Sequence, residues 1–198
     1  MKLCTLVLAA LVAAPAAAHA QGMHLGAKAG LSIATQQTSG PDGGESLDPR
    51  YGVVAGAFWT LPLGSWLDLQ VEGLYVNKGA RVTLFGVKST AVIDYVEMPV
   101  LARVRFGSGH VRYYGAGGPS TAFRIKAKTR ATFGDATEEL DISDDVESID
   151  FGIAAGGGVE MGRLVIDARY TYGFTDIDKD AKSETRNRAI AVTAGFRF

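Results

Sequence analysis

Thirteen ionisable side chains stand at alternating positions within otherwise apolar, glycine-rich stretches of this sequence. They are Lys28, Arg103, Arg105, Arg112, Arg124, Arg169 and Arg197 against Asp68, Glu72, Glu97, Asp150, Glu160 and Asp167. Charges so placed can neutralise one another in a tight interior or line a path for ions; unpaired, each would be costly to bury. Catalysis would need a different constellation. The only histidines beyond the first 20 residues are His24 and His110, and no serine or acid is spaced to make a triad with either. The single cysteine, Cys4, excludes a disulfide framework, a thiolate zinc site and a cysteine nucleophile from the folded region. Gly115-x-Gly117-Gly118 precedes no helical pattern, so it is strand packing and not a phosphate loop. Asp135, Glu138, Glu139, Asp141, Asp144, Asp145, Glu147 and Asp150 could attract a hard cation. They lack the spacing of a calcium loop, so a solvated acidic loop is the expectation. No catalytic residue, cofactor or metal is expected.

The elements that would position these charges are strands. In Asp94–Phe106 the even positions Val96, Met98, Val100, Ala102, Val104 and Phe106 are apolar, while Glu97, Arg103 and Arg105 fall on the odd face. A period of two with one apolar face is the strand signature. Trp66–Asn77, Arg163–Phe174 and Arg188–Phe198 alternate in the same way. Met23–Ala34, Tyr51–Leu61, Val111–Arg124 and Asp150–Met161 do so less cleanly. The expectation is eight strands and no helix. Connections alternate too: short breaks at Pro62–Ser65, Gly107–Gly109 and Met161–Arg163, and long polar segments over 36–50, 77–91, 126–148 and 175–187.

Lys2, an apolar run to Ala18 and the small-x-small site Ala18-His19-Ala20 read as a cleaved signal peptide over residues 1–20, with the barrel domain over 21–198. No later run reaches the ~18 apolar residues of a membrane helix. Strands of ~9–11 tilted residues suffice to cross a bilayer, and short turns opposite long loops are the pattern of an outer-membrane up-and-down barrel. A formal net charge of −1 without a basic run gives no case for nucleic acid.

A soluble eight-stranded barrel is the rival, with its apolar face inward. Aromatics favour the membrane orientation. Trp59, Trp66, Phe106, Tyr113 and Phe198 gather toward the turn side, and Tyr75, Phe123, Phe151, Tyr172 and Phe174 toward the loop side, as two girdles. The polar face is also rich in glycine (Gly26, Gly30, Gly52, Gly56, Gly118, Gly152, Gly156, Gly158, Gly195), which suits a narrow lumen.

Several segments, in order, resemble the PorT-like outer-membrane β-barrel family, often called "porin family". They are Gly26–Ser32, Tyr95-Val96-Glu97-Met98-Pro99-Val100-Leu101, Tyr114–Pro119, Asp150-Phe151-Gly152 with Gly156–Glu160, Asp167-Ala168-Arg169-Tyr170, and the closing Arg188–Phe198. The resemblance implies an eight-stranded outer-membrane barrel with no agreed biochemical activity. It also implies a terminal-strand signal, here Phe196 and Phe198, read by the barrel assembly machinery.

The expectation is therefore an all-β, eight-stranded antiparallel transmembrane barrel in the outer membrane, monomeric and in contact with outer-membrane lipids. Its lumen is plugged by salt bridges among Lys28, Asp68, Glu72, Glu97, Arg103, Arg105, Arg112, Glu160, Asp167, Arg169 and Arg197, and it is not an enzyme. Its role is structural or interactive at the cell surface, with an extracellular ligand of the loops as a partner. The alternative is a small-solute porin or a transport or secretion component.

Overall fold

A computed structural model describes residues 22–40, 43–46, 48–84, 87–133, 136–142, 147–176 and 184–198. The leader expected over residues 1–20 lies outside these. The strands are β1 (His24–Gly40), β2 (Gly43–Ser46), β3 (Asp48–Pro62), β4 (Leu67–Leu84), β5 (Val87–Phe106), β6 (Val111–Phe133), β7 (Ala136–Asp141), β8 (Ile149–Met161), β9 (Leu164–Gly173) and β10 (Glu184–Arg197). Eight of them pair antiparallel in sequence order, and β10 returns to pair with β1, so this eight-stranded wall closes on itself. The short β2 and β7 pair with β1 and β6 at the loop end. No helix occurs among the described residues.

Tight connections lie at one end. Gly107 and Gly109 (φ 90° and 88°) and Gly162 (φ 62°) occupy the left-handed region that the β5–β6 and β8–β9 turns demand. At the same rim the Phe198 N–H donates to the Leu25 carbonyl at 2.8 Å.

The opposite end corrects the sequence reading. Segment 77–91, expected as a loop, is strand over 77–84 and 87–91: β4 and β5 stay paired up to Leu84↔Val87. β1 continues to Gly40, and much of 126–148 forms the β6–β7 hairpin, so the acidic run there is partly strand. Residues 134–135 and 143–146 of that run lie outside the described residues. β-Branched residues such as Val82, Thr83, Val87, Thr90 and Val92 sustain the strands. The one-sided hydrophobic pattern fades there in the sequence. A β-bulge also inverts the pattern in β6, where Tyr95 faces Arg124 but Asp94 faces Lys126, leaving Ile125 extra.

The faces follow the alternation. Val96, Met98, Val100, Val104 and Phe106 point outward, while Tyr95, Glu97, Leu101 and Arg103 are buried inside. Large apolar and aromatic side chains stand exposed all around the barrel, among them Trp59, Trp66, Tyr113, Phe123, Phe151 and Phe174. Charges go in and hydrocarbon goes out, the inverse of a soluble barrel.

Several inward glycines answer to the backbone more than to lumen volume. A Cβ at Gly30 would lie 1.9 Å from the Val192 carbonyl oxygen, and one at Gly118 would lie 2.1 Å from that of Val100. The neighbouring strand passes too close for any side chain, as strong curvature of a narrow barrel requires. Gly118→Ala is accordingly expected to cost on the order of 1–3 kcal/mol through overpacking. Gly64→Ala, with nothing within 4 Å, should be near neutral. The denaturant midpoint of refolded protein checks both.

Candidate functional site

Among the described residues, the charged interior brings together chemistry-bearing side chains from every wall strand but β3. Small residues flank the long side chains and give them room. Lys28 on β1 lies in register with Gly56 on β3 and Gly195 on β10, and Arg169 on β9 with Gly156 on β8 and Ala191 on β10. Each long cation can therefore lean into the lumen.

Three tiers follow along the barrel. Nearest the short turns, Glu160 receives Arg103 at 2.6 Å, Arg112 at 3.2 Å and Arg197 at 3.5 Å. The Arg103 guanidinium also stacks 3.8 Å over the Tyr114 ring. Asp68 lies 3.0 Å from Arg105, which donates to the Gly64 carbonyl at 2.7 Å as well. In the middle tier Glu72 is held by Lys28 and by Arg169, each at 2.9 Å, and by the Gln70 amide. Asp167 shares Lys28 at 3.1 Å and accepts from the Tyr114 and Thr193 hydroxyls at 3.2 and 3.0 Å. Toward the loops, Glu97 pairs with Lys78 at 2.7 Å and accepts from Ser120 at 3.0 Å. Asp150 receives the Asn187 amide at 2.9 Å.

All six carboxylates are at most 4% exposed. Burying a carboxylate is costly unless it is paired; Asp68, Glu72, Glu97, Glu160 and Asp167 each lie beside a cation, whereas Asp150 has the Asn187 amide and leaves its other oxygen without a partner. A void of about 20 Å³ bounded by Lys28, Ser32, Lys78, Glu97, Arg169 and Thr171 holds about one water.

The partners are not those that spacing along a strand suggests. Glu97 and Arg103 share a face of β5, yet Glu97 pairs with Lys78 on β4 and Arg103 with Glu160 on β8. Asp167 and Arg169 come only to 3.9 Å. Arg112 and Arg197 sit half-open at the rim. Arg124, also expected inward, holds the Glu147 carbonyl at 3.3 Å near the loop end and joins no carboxylate pair in the lumen. The reading along the chain passed over Lys78, because it fell in a stretch read as loop, and the polar helpers Gln70, Thr60, Tyr114 and Asn187. Its signal was available: Lys78 lies on the same alternating face as Leu74 and Val76, all buried.

Phe196 and Phe198 both point outward, their rings 6.0 Å apart edge-to-face. His24 opens β1 and His110 precedes β6, both at the short-turn rim. Among the described residues no group of three or more His, Cys, Asp or Glu is arranged to hold a metal.

Solved structures of similar shape are outer-membrane proteins. OprG from Pseudomonas aeruginosa is 11% identical, with 88% of this chain and 95% of that one covered and a TM-score of 0.51. Neisserial surface protein A is 13% identical over 89% and 97%, with a TM-score of 0.46. Ail, the attachment invasion locus protein of Yersinia pestis, is 14% identical over 88% and 99%, with a TM-score of 0.45. At these identities the likeness speaks to fold alone. No curated protein gives a significant sequence match. The family described as outer membrane protein beta-barrel domain matches residues 18–179. That span takes in most of the closed wall and its inward charges, and the chain belongs to this family of outer-membrane β-barrels.

Proposed function

We propose that this chain is a PorT-like integral barrel whose lumen is closed by its ion pairs and whose work is done at the loop end, as a rigid scaffold for contacts at the cell surface. The interior pairing supports the reading: carboxylates and cations meet across the lumen in three tiers, around a void of about 20 Å³. An eight-stranded barrel is just wide enough for side chains to fill it. Among the described residues no reacting constellation accompanies the charges, and the barrel is read as non-enzymatic and free of cofactors. Function then falls to the loops on the rigid wall. Uptake of a small hydrophilic solute by cells with and without the protein tests this. Equal uptake is expected, and protein-dependent uptake would favour a pore or transport component.

Export through the leader and insertion by the assembly machinery belong to the same reading, with Phe196 and Phe198 as the terminal-strand signal. Loss of a mere interface anchor by Phe198→Ala would cost about 1.5–3 kcal/mol and leave cellular levels little changed. Loss of a recognition signal depletes the heat-modifiable, folded form from outer membranes while refolding into detergent stays near normal. The second pattern is the expected one.

A further inference from the structure

The outer wall of β9, β10 and β1 breaks the rule that hydrocarbon faces out. Asn187 and Ala189 are buried inward, so their neighbours Arg186 and Arg188 project from the outer face of β10. Arg186 donates to the Tyr172 hydroxyl at 3.5 Å, and the Arg188 guanidinium lies 5.1 Å over the Tyr172 ring. Tyr172 in turn packs edge-on against Phe174, with centroids 5.5 Å apart.

Height decides what such a cluster can meet. Arg on a lipid-facing wall costs ~2–4 kcal/mol at the midplane and ~0–1 near the interface. Two arginines braced on a girdle tyrosine therefore mark the level of lipid headgroups. Directly beneath, the register turns apolar: Arg188 pairs with Tyr172, then Ile190 with Tyr170, Val192 with Ala168 and Ala194 with Ile166. Ile190 and Val192 stand out from the wall, and below them Ala27, Ala29, Leu164, Ala194 and Phe196 line an open depression. From Arg188 to Ala194 is ~20 Å along the strand at ~3.3 Å per residue, the span of one extended fatty acyl chain.

We propose that this wall seats a phosphate-bearing membrane lipid, its headgroup on Arg186, Arg188 and the Tyr172 hydroxyl and one acyl chain along Ile190, Val192 and Ala194. The planar guanidinium fork matches phosphate oxygens in a bidentate manner, which an ammonium cannot do. Asp176, one of the acids of the same hairpin, accepts the Thr185 N–H at 2.9 Å. The site requires an outer-membrane location and is independent of whether the lumen conducts.

Full-length protein refolded in non-ionic detergent, titrated with diphosphoryl lipid A and followed by native mass spectrometry, tests the assignment. The double variant Arg186→Gln/Arg188→Gln should bind at least ~10-fold more weakly, whereas Lys126→Gln, which alters an exposed cation on β6, should bind as wild type. Ala194→Phe, which fills the depression, should weaken lipid binding without touching the headgroup. Should the double variant fail to give a heat-modifiable band, Arg188→Lys takes its place, with weakened binding expected as the fork is lost. Wild-type affinity in the arginine variants overturns the site. Displacement of the lipid by millimolar inorganic phosphate, together with an unaffected Ala194→Phe, overturns the lipid assignment in favour of a free-anion site.

Discussion

Glu72→Gln should destabilise the barrel by about 3–5 kcal/mol, the cost of leaving buried cations uncompensated. Glu72 is the hub of the middle tier, holding Lys28 and Arg169 with a side chain that is fully enclosed. Neutralised, it leaves two buried cations sharing Asp167, which Lys28 meets at 3.1 Å and Arg169 only at 3.9 Å. The measurement is urea unfolding of protein refolded into lipid vesicles. Glu138→Gln on β7, beyond the lumen tiers, should stay within ~0.5 kcal/mol. Adding Lys28→Gln to Glu72→Gln should recover part of the loss, since the excess charge is removed with it. Equal midpoints for Glu72→Gln and Glu138→Gln would place the Glu72 site in water.

Val100→Arg is the second large effect, about 2–4 kcal/mol if the residue faces lipid near mid-membrane. Val100 lies midway along the alternating segment Asp94–Phe106 of β5, projects outward and pairs with Val71 on β4, which projects outward as well. In a soluble barrel the same exposed valine would accept arginine at almost no cost. The inward neighbour Leu101, fully buried, should fail for a different reason, crowding plus an unmatched charge. Vesicle unfolding separates these outcomes: a neutral Val100→Arg would return the wall to water.

The eight wall strands and their faces were legible because alternation is a local property. Trp66–Asn77 and Arg188–Phe198 need no partner to show which side is apolar. The extents of the strands were not legible where the pattern changed, as at the Ile125 bulge, which reverses parity within β6, or in 77–91, where the alternation weakens. The inward charges could be picked out one by one, but their pairing could not. Lys28 meets Glu72 and Asp167 from positions 44 and 139 residues away, and barrel curvature, not spacing, brings them together. Lys78 and Arg186 escape notice for a common reason, since each sits in a segment read as loop that continues as strand, whereas Arg188 already opens the expected strand Arg188–Phe198.

Conductance measures directly whether the interlocked side chains close the lumen. Purified protein refolded into planar bilayers should show no stable unit channels, while Glu72→Gln should show intermittent leak as the middle tier loosens. Stable, ohmic channels from the wild-type protein would contradict the account.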